Sequence, residues 1–220
     1  MKKPFKNKKV LITCGPTWVA LDKVRVITNI FSGALGILIA ECLYREGADI
    51  TLLVGPVRAD MPKQKSHLRI KRFRYYDDLL QLVKRELRTG KYDIMVHSAA
   101  VSDYKPMDVK VNKIKSGRKK LTINFAPTKK IVDLVKKAAP NIFLVKFKLE
   151  VNLTKRELLT RAYKSLKQSN ADLIVANDYK TVIAEHRAYV IDKHRSVWAF
   201  VGKKNIAKGV VSMISRKLMQ

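Results

Sequence analysis

The chain has 220 residues, enough for one large domain with a sizeable core. Forty-six Lys and Arg against 18 Asp and Glu leave a formal charge of +28, which concentrates any anion nearby, nucleotides, phosphorylated metabolites and nucleic acid included. Its longest apolar runs, such as GALGILIA, fall well short of the roughly 18 residues a bilayer-spanning helix needs, so no spanning helix is expected and a folded α/β domain is.

The opening MKKPFKNKK is basic with no apolar stretch behind it, and no signal peptide is expected. KKVLITCG (8–15) reads as a buried strand. A long detour, PTWVALDKVRVITNIF (16–31), separates it from a helix over 33–46, with Ser32 as N-cap and Gly47 as the stop. ADITLLVG (48–55) is the next strand; the alternating HLRIKRFR, a helix over 76–88 and the buried strand YDIMVHSAAV (92–101) follow. The segment DYKPMDVKVNKIKSGRKKLTINF breaks the pattern, and its period-two alternation around KSGRKK predicts an antiparallel β-hairpin flap at about 105–125. A helix over 129–139, the strand NIFLVKFKL, a helix over 154–168 and the strand ADLIVAND resume the alternation. The hairpin AYVIDKHRSVWAFV then leads to a C-terminal helix from about 205.

Strand–helix alternation of this kind implies a Rossmann-like, doubly wound, mostly parallel α/β sheet, here as one domain over 1–220. Such sheets bind ligands beyond the carboxyl ends of their strands, which directs attention to CGPT, HSAAVSDY, VKFK and VANDY. A dinucleotide fold carries G-x-G-x-x-G directly after its first strand. Here Gly15 stands alone and Gly33 and Gly36 form only G-x-x-G, which disfavours an NAD(P)-dependent reductase. These glycines either expose helix N–H groups to a phosphate or let the helix pack close to the sheet. Ala99 and Ala100 leave room for a flat ring or a ribose, with Asp103 and Tyr104 beside them; His97 reads as a satisfied core histidine. In the flap, Lys113 and Lys115 project from one face of a strand, and Thr128 stands before a second helix start. Cys14 and Cys42, without metal-like spacing, read as buried thiols in a reducing cytoplasm. No nucleophile–base triad, metal cluster or interior carboxylate pair is visible, so the expected chemistry works by positioning and charge stabilisation, as in nucleotidyl or phosphoryl transfer.

LITCGPT, LDKVRVITNIFSGALG, SAAVSDY, NKIKS, FKLEV and ADLIVAND occur in this order and in register, and together they resemble the phosphopantothenate–cysteine ligase family over about residues 8–215. No flavin-binding decarboxylase half precedes them, so the stand-alone form is expected. The resemblance implies a CTP-dependent joining of 4′-phosphopantothenate and cysteine through an acyl-cytidylate, with Mg²⁺, in a homodimer of coenzyme A biosynthesis; ATP is the co-substrate of some members. It assigns Asn29 to the acyl intermediate and Arg25, with Gly33 and Ala100, to the phosphopantothenate side. Gly15, Ala99, Ala100, Asp103, Phe147 and Asn177 match the nucleotide pocket. Lys113 matches the flap lysine on the phosphates, and Lys164 and, after a one-residue length difference, Lys167 match further nucleotide lysines. No residue is assigned to the metal. Ile30 and Phe31 stand where polar residues are usual, and Lys146 where a glycine commonly precedes the phenylalanine. The charge alone also allows a nucleic-acid-associated binding protein on the same fold. No aromatic-rich basic strand, helix-turn-helix or zinc-finger pattern supports specific binding of that kind.

Overall fold

The computed structural model describes residues 3–117 and 119–218; Arg118, within the expected flap, lies outside them. The first strand, β1 (Lys9–Cys14), is buried at every position after Lys9, as a strand covered on both faces requires. It pairs in parallel with β4 (Asp49–Val54) on one side and β6 (Ile94–His97) on the other. β5 (Leu68–Arg72) extends the sheet beyond β4, and β9 (Phe143–Glu150) and β10 (Leu173–Asp178) extend it beyond β6, all parallel. The antiparallel strands β11 (Arg187–Asp192) and β12 (Val197–Val201) close the far side. Among the described residues the order is therefore β5-β4-β1-β6-β9-β10-β11-β12. Its six parallel strands run 3-2-1-4-5-6, the doubly wound order, and the chain reverses direction across the sheet between β1 and β6.

Two layers of helix cover this sheet. Helices α1 (Ala34–Arg45) and α6 (Lys203–Leu218) pack on the face formed by Val10, Ile12, Val96, Val145 and Val175. Helices α2 (Tyr76–Arg88), α3 (Val132–Ala138) and α4 (Lys155–Gln168) pack on the face formed by Leu11, Met95, Leu144 and Ile174. The α4 start is a capping box: Thr154 accepts from the Glu157 amide at 3.3 Å, and Glu157 accepts from the Thr154 amide at 2.9 Å. No helix among the described residues is long and apolar enough to cross a membrane.

Four local readings are corrected. Gly33, at φ 78°, occupies the N-cap of α1 in place of Ser32, whose hydroxyl accepts only from the Ala34 amide at 3.4 Å. The detour holds an unforeseen two-stranded hairpin, β2 (Trp18–Ala20) with β3 (Val26–Thr28). The flap is paired only at its feet, β7 (Tyr104–Pro106) with β8 (Phe125–Pro127), so the Lys113 and Lys115 region forms no strand. Its alternation has another cause: Ile114 is buried while both lysines are exposed. Finally, α3 begins at Val132 rather than 129, because the Thr128 hydroxyl donates to the Ser102 carbonyl at 2.7 Å instead of capping a helix. A short helix, α5 (Tyr179–Ala184), also follows β10 directly, capped by Asp178, which accepts from the Lys180 amide.

Candidate functional site

The carboxyl ends of β6, β9 and β10 and the start of α1 surround a cavity of about 760 Å³. It lies where the doubly wound order predicts a ligand site. The loop after β6 is stitched to the loop after β1. Ala100 donates its amide to the Gly15 carbonyl (3.0 Å), and its own carbonyl accepts from the Thr17 amide (3.2 Å) and from Asn29 Nδ2 (3.0 Å). One amide hydrogen of Asn29 thus fastens the end of the detour over the strand ends, and the other remains for a ligand.

Asn29, Gly33, Ala99, Ala100, Asp103, Phe147 and Asn177 all line this cavity. Gly15 does not, but lies directly beneath: a Cβ on Gly33 would sit 3.1 Å from the Gly15 Cα and 2.5 Å from Val57 Cγ1. A Cβ on Gly36 would meet Ser98 Oγ at 2.4 Å and Cys14 Cβ at 2.5 Å. Both helix-start glycines are therefore required by close packing of α1 on the sheet, whatever a ligand adds.

Arg25, Lys113, Lys164 and Lys167 do not line the cavity. Arg25 Nη1 pairs with Asp22 at 3.3 Å and donates to the Ile114 carbonyl at 3.1 Å. Asp22, whose side chain is fully buried, also accepts from the Ile114 amide at 2.9 Å and from the Val24 and Arg25 amides. These backbone donors, that of Ile114 foremost, hold its carboxyl below the usual range. The detour and flap are thus tied into one unit by Asp22, with Lys113 next to the tie. Lys164 is exposed on α4, and the Lys167 ammonium lies 5.8 Å from the centre of the Tyr163 ring.

The cavity has two unlike halves because β9 splits it. Phe147 packs on the α1/α6 side and Leu149 alternates with it; Phe31, Leu35, Tyr179, Val182, Ile183 and Ile206 line that half, with Lys203 at the head of α6. Lys146 and Lys148 alternate to the other face, where Lys129, Lys130 and Ser165 complete the wall. Asp103 is the one carboxylate among the described lining residues. A ligand with an apolar or aromatic portion and a multiply charged anionic portion matches both halves.

Sequence reasoning read Lys146 as a residue that either crowds a nucleotide or adds a phosphate contact, and the PTKK lysines, Lys129 and Lys130, as part of a second phosphate cradle or as plain surface charge; it passed over Lys148, Ser165 and Tyr179. The interrupted apolar run VKFK was the available signal for Lys146 and Lys148: charges within a central strand must be answered by something. Lys146, 7% exposed, is answered by α4. Its ammonium donates to the Ser165 carbonyl (3.1 Å), Ser165 Oγ (3.0 Å) and Ser169 Oγ (3.1 Å), at the negative end of the helix dipole. Burial, aided by the Lys130 and Lys148 cations and opposed by Asp133, pushes it down to about 8. Its neighbour across the sheet, His97, is buried and shares a 2.9 Å hydrogen bond between Nδ1 and Thr13 Oγ1, as expected of a satisfied core histidine. Burial and then the Lys146 cation push His97 down to about 4, so its ring is neutral at pH 7.

Residues 5–218 match the DNA/pantothenate metabolism flavoprotein C-terminal domain. The chain belongs to that family. The chain is 34% identical over 219 residues to the coenzyme A biosynthesis bifunctional protein CoaBC of Thermococcus kodakarensis, covering 99% of this chain and 50% of that protein. It thus spans about half the length of this curated relative. The crystal structure of the DNA/pantothenate metabolism flavoprotein from Streptococcus pneumoniae superposes with a TM-score of 0.86 at 33% identity, over 96% of this chain and 99% of that one. The C-terminal domain of a CoaBC protein gives a TM-score of 0.80 at 26% identity, over 99% and 98% of the two chains. Both likenesses include the eight-stranded sheet, so the Rossmann-like fold is that of the family.

Among the described residues no group of three or more His, Cys, Asp or Glu could hold a metal by itself. Mg²⁺ does not need such a cage: it is commonly held by one or two carboxylates together with the phosphates of a bound substrate. Asp103 beside the lysine wall fits that mode.

Proposed function

We propose that this chain is a ligase of coenzyme A biosynthesis that joins 4′-phosphopantothenate to cysteine at the expense of CTP, with ATP as the alternative triphosphate. The observation that carries the reading is the divided cavity at the strand ends of a fold shared with CoaBC proteins, one wall mainly apolar with Lys203 at its edge and the other carrying Lys129, Lys130, Lys146 and Lys148. In the first step a phosphopantothenate carboxylate oxygen attacks the α-phosphorus of CTP, and the bond to the β-phosphate breaks, releasing pyrophosphate. In the second the cysteine amine attacks the acyl carbon, its proton is lost to solvent, and the acyl–oxygen bond breaks to release CMP.

The residues contribute positioning and charge rather than acid–base chemistry. Lys129, Lys130 and Lys148 hold phosphate oxygens, and the second amide hydrogen of Asn29 holds the acyl oxygen. Asp103, with the nucleotide's phosphates, would hold Mg²⁺, which would supply further neutralisation of phosphate charge. Ala99, Ala100, Phe147 and Asn177 bound the nucleotide, and Gly33 lets α1 start against it. Contacts by Arg25 and Lys113 need the detour and flap to bend together over the cavity, since Ile114 ties them. Geometry lends no support to Lys164 or Lys167 as contacts within one chain. A homodimer belongs to the same proposal, supported by exposed apolar Val24 and Ile27 on the detour and Val111 on the flap.

The test mixes the domain with CTP, Mg²⁺, 4′-phosphopantothenate and cysteine and follows pyrophosphate and CMP. The expected result is pyrophosphate that depends on phosphopantothenate and CMP that depends on cysteine, both reduced about 10²-fold or more by Asn29→Ala. No pyrophosphate above the protein-free rate, with CTP or with ATP, would overturn it.

A further inference from the structure

Phe31, on the loop that leads into α1, has an aromatic partner in the structure. Its ring meets that of Tyr179 edge to face, with centroids 6.3 Å apart and planes at 90°, and both rings line the cavity on the α1/α6 side. The two residues come from different loops, one before α1 and one after β10, and the backbone of each is held from behind. Tyr179 opens α5 immediately after Asp178, a buried carboxylate that accepts from the Leu153 amide at 2.9 Å and from the Lys180 amide at 3.0 Å. Phe31 lies between Asn29, fastened to Ala100, and Ser32, whose carbonyl accepts from the Arg58 amide at 3.3 Å. Two rings fixed in this way lose little conformational entropy when a third flat ring joins them. Beside them Phe147 and Leu149 extend the apolar wall; Lys129, Lys130, Lys146 and Lys148 stand on the other side of β9, and Lys203 at the head of α6 is the lysine on this side.

We propose that Phe31 and Tyr179 form an aromatic clamp on the base of the nucleotide co-substrate, the base lying in the apolar half while its phosphates reach the lysine half. The clamp rests on the nucleotide-dependent reading above and adds to it two residues that select for a heteroaromatic base. A base stacked on an aromatic side chain responds to its removal by a factor on the order of tenfold in affinity, whereas a ligand of phosphates alone does not.

The experiment measures the affinity of the whole chain for CTP, ATP and inorganic tripolyphosphate by competition, for wild type, Phe31→Ala, Phe31→Leu and Tyr179→Ala. Phe31→Leu keeps an apolar side chain of similar reach and removes only the ring, so it serves if the alanine variant folds poorly. The expected result is a loss of about tenfold for both nucleotides in each variant, with tripolyphosphate changed less than about twofold. Equal losses for nucleotides and tripolyphosphate, or no loss for either, would overturn the clamp while leaving a nucleotide site in place. A wild-type chain that binds tripolyphosphate no less tightly than CTP or ATP would overturn the clamp and the nucleotide reading together.

Discussion

Replacing Lys146 by methionine removes a cation from a nearly closed position between β9 and α4 while keeping most of its length. The group is held at about 8 in the folded protein against 10.5 for an ordinary lysine. At about 1.4 kcal/mol per pH unit that difference sets a ceiling of about 3 kcal/mol, and screening by water in the adjoining cavity reduces it to about 2 kcal/mol. Because the folded value is the lower one, the unfolded chain binds more protons between pH 8 and 10.5, and stability from this group rises with pH across that window. Below pH 8 the wild type bears the full burial penalty, and above 10.5 it bears none. The three hydrogen bonds to Ser165 and Ser169 are lost in the variant at every pH, so they shift its stability by a constant. Urea unfolding at pH 7 and pH 10.5 isolates the charge: the advantage of Lys146→Met over wild type should shrink by about 2 kcal/mol on going up. A difference that stays the same at both values would refute a desolvated ammonium at this position.

Two further outcomes follow from packing and from the flap. Gly33→Ala and Gly36→Ala should each lower unfolding free energy by about 1–3 kcal/mol in urea titrations, the first through its positive φ and Val57, the second through Ser98 and Cys14. A change under about 0.5 kcal/mol for Gly36→Ala would mean that α1 can lift off the sheet. Asp22→Asn should release the flap: amide exchange at Ile114 should accelerate roughly tenfold while amides in β1 stay protected. The same release should occur in the wild type at acid pH. Asp22 has its folded value below 3.8, so its contribution is complete above that and is lost as pH falls through the folded value. Unchanged exchange at Ile114 in Asp22→Asn would show that another contact holds the flap.

Much of the sheet was legible because buried parallel strands read as unbroken apolar runs, KVLIT and ITLLV being the clearest, and because Gly47 and the Thr154–Glu157 pair mark helix ends. The β2–β3 hairpin was not legible. Its strands are three residues long, and it is joined to the body through contacts such as Trp18 with Tyr75, which no local pattern announces. The flap misled for a similar reason: a single buried Ile114 between two exposed lysines imitates a strand's alternation, whereas its anchor, Asp22, lies 92 residues earlier. At the cavity, Ala99 and Ala100 could be found from the strand end that precedes them, and Gly33 from the helix start. Lys146 could not be understood there, because its acceptors lie on α4, 19 and 23 residues away.

The division of the cavity by β9 has a mechanical side. Its two walls belong to the two layers that cover opposite faces of the sheet, which lies between them. An occupant touching both walls works as a cross-brace at the open end, so that loosening either layer means giving up half of its grip. The benefit spreads through the whole fold: at a hundredfold excess over Kd an occupant adds about 2.7 kcal/mol to global unfolding. Amides deep in β1 and β10, far from any ligand atom, would then exchange more slowly in proportion to occupancy, and the filled domain would melt as one body.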